Sequence, residues 1–119
     1  MKNDNVVKDK SYGFALRIVE LYKYLAHKKN EFVLSKQILR CGTSIGANIE
    51  EAIGGQTEKD FYAKISVAYK ETRETSYWLR LLKDSAILEN KIADSLLKDC
   101  DELLRIIGSI QLTIKKRNS

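Results

Sequence analysis

The chain has 119 residues and no proline, and histidine occurs once. Because proline interrupts helices, its absence together with a charged content of 31% favours long helices over a turn-rich β fold. The two cysteines, Cys41 and Cys100, form no C-x-x-C pair, which excludes a zinc knuckle and argues against a disulfide framework. We expect both thiols to be reduced and in the core, and we expect no metal site, since His27 has no partner ligands.

Long hydrophobic runs are also absent. None approaches the roughly 18 residues that a membrane-spanning helix needs, and the first residues, MKNDNVVKDKS, lack the apolar centre of a signal peptide. We therefore expect a cytoplasmic protein with no membrane partner and no cofactor, folded as one domain over residues 1–119. The net charge of +5 suggests an anionic partner.

Apolar residues at spacings of three and four predict four helices, over about residues 11–28, 35–53, 57–85 and 90–116. Ser35, Thr57 and Asn90 are the predicted N-caps, and Gly54-Gly55 ends the second helix. The predicted fold is all-α, an antiparallel up-down-up-down four-helix bundle. A short flexible N-terminus over about residues 1–10 and a basic C-terminal tail over about residues 115–119 flank it.

The stretch CGTSIGANIEEA, residues 41–52, fits both the G-x-S-x-G of a serine hydrolase and the G-x-x-x-G of close-packed helices. A nucleophile elbow needs a preceding strand and a later histidine. The residues before Ser44 have helical spacing, and His27 precedes it, so we exclude the hydrolase interpretation. On a helix, Gly42 and Gly46 form a flat notch between larger apolar side chains.

Three polar residues lie on a helical line beside this notch: Ser44, Asn48 and Glu51. We expect a neighbouring helix to approach the notch closely, with Ser44 and Asn48 hydrogen-bonding to it. The third helix supplies the other half of this polar layer, because Glu71, Glu74 and Trp78 share one line. Carboxylates near an interior suit acid/base catalysis, and a cryptic enzyme using Glu71 and Glu74 stays an alternative. We favour a structural role, in which Asn, Thr, Arg or backbone donors bind the carboxylates and fix helix register, and we expect no catalytic residue.

A different line of the third helix interleaves cations with a tyrosine, a pattern that suits phosphate binding and base stacking, although a solvated surface has the same composition. Further cations on the second helix and at the C-terminus extend the set of candidate nucleic-acid contacts. The predicted contacts are Lys36, Arg40, Lys70, Arg73, Tyr77, Arg80, Lys115, Lys116 and Arg117.

Three stretches carry a family resemblance: TSIGANIEE at residues 43–51, Asp60-Phe61, and KETRETSYWL at residues 70–79. They resemble the bacterial four-helix-bundle proteins encoded in intervening sequences of 23S ribosomal RNA genes. The most specific part is the pairing of S-x-x-x-N-I-x-E with K-E-x-x-E-T-x-Y-W-L. The matching positions are Ser44, Asn48, Ile49, Glu51, Glu71, Glu74, Tyr77, Trp78 and Leu79.

The resemblance implies an antiparallel four-helix bundle, a homo-oligomer that is often a pentamer, and no known catalytic activity. The chain is also similar to accessory bundle proteins of diversity-generating retroelements, which bind nucleic acid and a reverse transcriptase. We therefore expect a non-enzymatic, oligomeric nucleic-acid-binding bundle, with RNA favoured over DNA. The alternative is a protein-interaction scaffold whose notch and Tyr77-Trp78 surface recognise a helical or reverse-transcriptase-like partner.

Overall fold

A computed structural model describes residues 2–118 of the chain, and the side chains of residues 4–118. It contains four helices, α1 (Lys2–Lys28), α2 (Leu34–Ile53), α3 (Glu58–Asp84) and α4 (Asn90–Arg117), and no strand within residues 2–118. The predicted all-α class is confirmed. The bundle measures 47 × 21 × 21 Å, which accommodates helices of about 40 Å lying along its long axis.

The helices pack in sequence order around a square, with α1 diagonally opposite α3. Neighbouring helices run antiparallel, because contacts between them join early residues of one to late residues of the next. The contacts that show this are Ser11 with Gly46, Glu51 with Lys64, Ser66 with Gln111, and Lys10 with Glu102.

Both ends of the chain differ from the expectation. Helix α1 begins at Lys2 and not at residue 11, and Val7 is only 1% exposed, so the segment predicted to be flexible is the first part of α1. The sequence signal is weak there because Val6 and Val7 stand alone among polar residues. At the other end, α4 continues to Arg117, whose guanidinium lies 3.4 Å from a carboxylate oxygen of Glu58. The predicted basic tail is therefore mostly the last turn of α4.

The core contains one apolar line from each helix. The α3 line includes two buried threonines, Thr72 and Thr75, whose hydroxyls donate to the carbonyls four residues earlier at 2.7 and 2.8 Å. Because these hydroxyls are satisfied within the helix, they add no unpaired polar group to the core. The line ends at Leu82, since Ala86, four residues later, is exposed in a turn at a φ of 62°.

Both cysteines are free and buried, as expected. Burial raises the pKa of the Cys41 thiol to about 11 and raises that of Cys100 as well. The thiolate is the nucleophilic form of cysteine, so neither side chain is poised for covalent chemistry near neutral pH.

Helix α1 fills the glycine notch of α2. A Cβ atom built on Gly46 would lie 3.4 Å from the backbone of Ser11, and one built on Gly42 would lie 2.8 Å from Cγ1 of Ile18. A real Cβ does not approach another carbon as closely as 2.8 Å, so the side chain of Ile18 occupies the space that Gly42 leaves. The two glycines therefore set the distance between α1 and α2.

The polar residues beside the notch hydrogen-bond within α2. Ser44 Oγ donates to the Arg40 carbonyl at 2.6 Å, and Asn48 Nδ2 donates to the Ser44 carbonyl at 2.8 Å. The prediction that these two side chains bond to a neighbouring helix is wrong. Carbonyls one turn earlier on the same helix are closer acceptors for short polar side chains.

The N-terminus of α2 is capped from outside the helix. Ser35, predicted as the N-cap, is the second helical residue, and the Glu31 carboxylate accepts hydrogen bonds from the backbone N–H groups of Val33, Leu34 and Ser35 at 3.1, 3.0 and 2.6 Å. Asn30, at a φ of 53°, turns the chain just before this cap. Burial raises the pKa of Glu31, but the three hydrogen bonds outweigh it, and the net effect lowers the pKa from 4.5.

Of the other two predicted N-caps, one is confirmed and one is displaced by a residue. Thr57 caps α3, since its hydroxyl oxygen accepts a hydrogen bond from the Asp60 N–H at 3.0 Å. Asn90 is instead the first residue of α4, and Glu89 is the cap residue without a side-chain bond to the helix. The difference is one residue, within the usual uncertainty of helix ends.

Removing the Glu31 cap should destabilise the protein in a pH-dependent way. We expect Glu31→Ala to lower the free energy of unfolding at pH 7 by about 1–2 kcal/mol, the range for loss of an N-cap. Because the folded-state pKa is depressed, this contribution is present above the unfolded value of 4.5 and is lost as pH falls through the lower folded-state value. Urea unfolding of both proteins at pH 7 and pH 3 measures this, and an equal difference at both pH values would contradict it.

The two notch glycines should respond differently to a methyl group. We expect Gly42→Ala to lower the free energy of unfolding by about 1 kcal/mol or more, because overpacking against Ile18 costs about 1–3 kcal/mol and exceeds the gain in helix propensity. Gly46→Ala makes only ordinary contact with Ser11, so it should stabilise the protein by up to about 1 kcal/mol. Urea unfolding at matched protein concentration compares the two, and equal effects would contradict this account of the notch.

Candidate nucleic-acid interface

Four residues of α3, Lys70, Arg73, Tyr77 and Arg80, lie exposed along one line of the helix, which we call the α3 stripe. Within the described part of the chain, none of its three cations forms an ion pair. The Arg80 guanidinium lies 6.0 Å from the centroid of the Tyr77 ring, a cation–π distance. The structure thus brings the predicted cations and the aromatic ring of α3 onto one accessible surface.

Tyr77 is 50% exposed and is supported from below by Trp78. The two rings meet edge to face, with centroids 5.2 Å apart and planes at 75°. The indole is itself held in place, because its Nε1 donates to Glu74 Oε2 at 3.0 Å. Tyr77 is therefore a half-exposed ring whose position is fixed by Trp78.

Arg40 is engaged by acidic residues of α3. Its guanidinium pairs with Glu71, at 3.3 Å, and with Glu74, and so it joins α2 to α3. Glu74 also accepts from Trp78, so one network links the arginine, both carboxylates and the indole. Since its charge is compensated by two carboxylates, we leave Arg40 out of the candidate interface.

Glu51 lies outside this network. It is exposed near the end of α2 and pairs with Lys64 at 3.2 Å. The prediction that it belongs to an interior polar layer with Glu71 and Glu74 is therefore wrong. Its place on the Ser44 and Asn48 line is correct, but that line turns toward solvent in the last turn of α2.

The remaining predicted cations are spread over the molecule. Lys36 is exposed in the first turns of α2, on a different helix from the α3 stripe. Lys115, Lys116 and Arg117 form the last turn of α4, where Arg117 pairs with Glu58. Lys115 lines a cavity with Lys59 and Tyr62 of α3, whereas Arg117 lines a different one with Glu58 and Phe61.

The α3 stripe borders a groove between α3 and α4, which we call the α3/α4 groove. One cavity of about 490 Å³ lies over Arg73, Tyr77, Arg80 and Leu104. A second, of about 600 Å³, lies at the other end of α3. Its lining residues are Glu58, Lys59, Tyr62, Ile114, Lys115 and Asn118.

Between the two cavities the helices touch. Gln111 Nε2 donates to Ser66 Oγ at 3.2 Å, and a Cβ on Gly108 would lie 3.5 Å from the ring of Tyr69. These contacts form the floor of the groove. Lys59, Tyr62 and Leu104 were not predicted as site residues. Spacing could have indicated Lys59, because it lies two helical turns before Ser66, on the line of α3 that continues into the α3 stripe.

Among the described residues, no group of three His, Cys, Asp or Glu side chains could hold a metal ion. Glu71 and Glu74 are bound to Arg40, so neither is presented as a free acid or base. None of the helices in residues 2–118 has the length and apolarity that crossing a membrane requires.

Comparison with known proteins points to one family. A crystal structure of a protein of unknown function from the S23 ribosomal protein family of Bacteroides thetaiotaomicron superimposes with a TM-score of 0.90. The two chains are 50% identical over 95% of this chain and 98% of the other. No curated protein matches the sequence. The profile of the 23S rRNA-intervening sequence proteins matches residues 3–109, and the chain belongs to that family.

Proposed function

We propose that this protein is a non-enzymatic, oligomeric nucleic-acid-binding bundle that acts on RNA in the cytoplasm. The observation that carries the proposal is the α3 stripe, where three exposed cations without ion-pair partners in the described chain flank an exposed tyrosine. A cation already paired with a carboxylate gives up that pair to bind a phosphate, whereas Lys70, Arg73 and Arg80 do not. The net charge of +5 adds long-range attraction for a polyanion.

RNA is the favoured nucleic acid because the family is named for proteins of 23S rRNA intervening sequences. A tyrosine beside arginines also suits RNA, whose unpaired bases stack on aromatic rings and guanidinium planes. DNA is the competing ligand, and the same stripe would bind its phosphates.

Self-association is supported by large apolar side chains at the surface. Tyr12 and Leu16 are 59% and 53% exposed on adjacent turns of α1, and Leu112 of α4 is similarly exposed. Tyr12 and Leu16, one turn apart, expose neighbouring apolar side chains, a feature typical of interaction surfaces. In a ring of subunits, which is a pentamer in the proteins that the sequence resembles, several stripes act on one RNA molecule and their weak affinities reinforce one another.

A second candidate function is a protein-interaction scaffold. The glycine notch no longer supports it, because α1 already occupies the notch. The observation that still favours it is the apolar surface of α3 formed by the exposed Val67, Tyr77 and Leu81, next to Trp78. A helical partner would bind there through apolar contacts, with little dependence on salt.

Charge reversal on the α3 stripe tests the proposal. We expect Arg73→Glu with Arg80→Glu to weaken binding to a structured RNA at least tenfold at low salt, because each reversal replaces a phosphate-binding cation with an anion. Filter binding across a salt series measures affinity, and light scattering in the same buffers measures oligomeric mass.

The matched control is Lys8→Glu with Lys28→Glu, which makes the same change in net charge on α1, diagonally opposite α3. An equal loss in both variants would show that only overall charge matters. Absence of RNA binding by the unaltered protein even at low salt would refute the RNA-binding function, and absence of duplex DNA binding as well would leave the scaffold.

A further inference from the structure

The α3/α4 groove is long and straight. It extends along α3 from Lys59 in the first turn to Arg80 in the next-to-last turn, a span of roughly 32 Å at 1.5 Å per residue. Its two cavities, of about 600 and 490 Å³, lie at the two ends of this span. Each is within the range of about 300–1,000 Å³ that is typical of small-ligand pockets, so each has space for a nucleoside.

The groove is cationic along its length. Its cations form no ion pair within the described residues, and they are Lys59, Lys70, Arg73, Arg80 and Lys115. The two glutamates at its cavities are already bound, Glu58 by Arg117 and Asn118, and Glu74 by Arg40 and Trp78. Asp84 closes the line at the far end. The charge that remains available in the groove is therefore predominantly positive.

Tyr77 distinguishes between unpaired and paired nucleic acid. Half of this side chain is exposed, while one side of its ring is in contact with Trp78 and Arg80 lies near the ring. A base can stack on an aromatic ring only when its own flat surface is free, and in a duplex neighbouring base pairs cover that surface. The ring therefore has no partner on the outside of a double helix.

The arrangement of the cations in a line along α3 also favours a single strand over a duplex. The phosphates of a duplex wind around its axis, so a straight helix touches them over a short length and then loses contact. A single strand is flexible and is able to follow the groove from end to end, as it does in other grooves that combine cations with aromatic rings.

The geometry points to a single-stranded stretch of nucleic acid as the ligand, lying along the α3/α4 groove with one base stacked on Tyr77. This inference rests on the proposed nucleic-acid function and adds the conformation of the ligand and its path. Lys59 and Lys115 bind phosphates at one end of the strand, and Arg73 and Arg80 bind them on either side of the stacked base.

The test is fluorescence anisotropy with the full chain and three labelled probes. The probes are an oligouridine of about ten nucleotides, within the usual range of about 4–16 per binding fold, an oligothymidine of that length, and an RNA duplex of that length. We expect the oligouridine to bind more tightly than the duplex at equal salt. With five cations engaged, log K should fall with log salt at a slope of about −3.5, at about 0.7 per phosphate neutralised.

Substitution of Tyr77 separates stacking from charge. We expect Tyr77→Ala to weaken oligouridine binding about 5-fold or more, the loss of one stacked base, while the salt slope stays unchanged. Tyr77→Phe keeps the ring and should bind like the unaltered protein. The matched control is Phe32→Ala, which removes a similarly exposed aromatic ring from the loop between α1 and α2. Conversely, Arg73→Gln with Arg80→Gln should flatten the slope by about 1.4.

The failures of the two proposals are distinguishable. Duplex binding as tight as oligouridine binding, with no difference between Tyr77→Ala and Phe32→Ala, would overturn the single-strand inference and leave nucleic-acid binding intact. The absence of binding to all three probes at low salt would overturn both. Oligothymidine binding equal to that of oligouridine supports the inference, since stacking and phosphate contacts need no 2′-hydroxyl.

Discussion

The close approach of α1 to α2 at Gly42 and Gly46 is the contact on which the rest of the bundle depends. Two glycines in the middle of a helix cost about 1 kcal/mol each relative to alanine. At Gly42, the close packing of Ile18 into the space that the glycine leaves offsets that cost. Because one side of α2 is packed against α1 in this way, another side is left to face α3, where Arg40 meets Glu71 and Glu74.

In this arrangement, each side of α3 has a different role. The side that faces α2 carries the carboxylates that hold Arg40, the buried side carries the threonines and leucines of the core, and the outer side carries the α3 stripe. Trp78 connects two of these sides, since its indole N–H donates a hydrogen bond to Glu74 and its ring contacts the ring of Tyr77. The residues that we assign to RNA contribute little to the core, so the interface and the fold place separate demands on the sequence.

Much of the fold was predictable because apolar residues at spacings of three and four mark the buried side of a helix. The buried residues Phe14, Ile18, Leu21 and Leu25 of α1 are an example. The start of α1 was not predictable, since Val7 has no apolar neighbour one turn away to mark the helix. The cap of α2 was missed for a different reason. Glu31 follows a turn at Asn30 that directs its carboxylate to the start of α2, and a sequence pattern does not contain that turn geometry.

The candidate site was predictable only one helix at a time. The α3 stripe follows from spacing within α3, but the partner of Arg40 depends on how α2 and α3 are rotated against each other. The same is true of the groove, because Leu104 and Lys115 join it through the register of α4. The predicted hydrogen bonds of Ser44 and Asn48 to a neighbouring helix were wrong, because their acceptors lie one turn earlier on their own helix. The sequence does not show which of these acceptors the side chains reach.

Trp78 is the only tryptophan of the chain. Its indole is in contact with the ring of Tyr77 and bonded to the carboxylate that holds Arg40, so it lies within a few ångströms of both the candidate interface and the joint between α2 and α3. The emission of an indole responds to changes in its immediate surroundings. The protein thus carries a built-in optical probe at the one place where ligand contact and helix packing meet, and the unlabelled chain is able to signal a change in either.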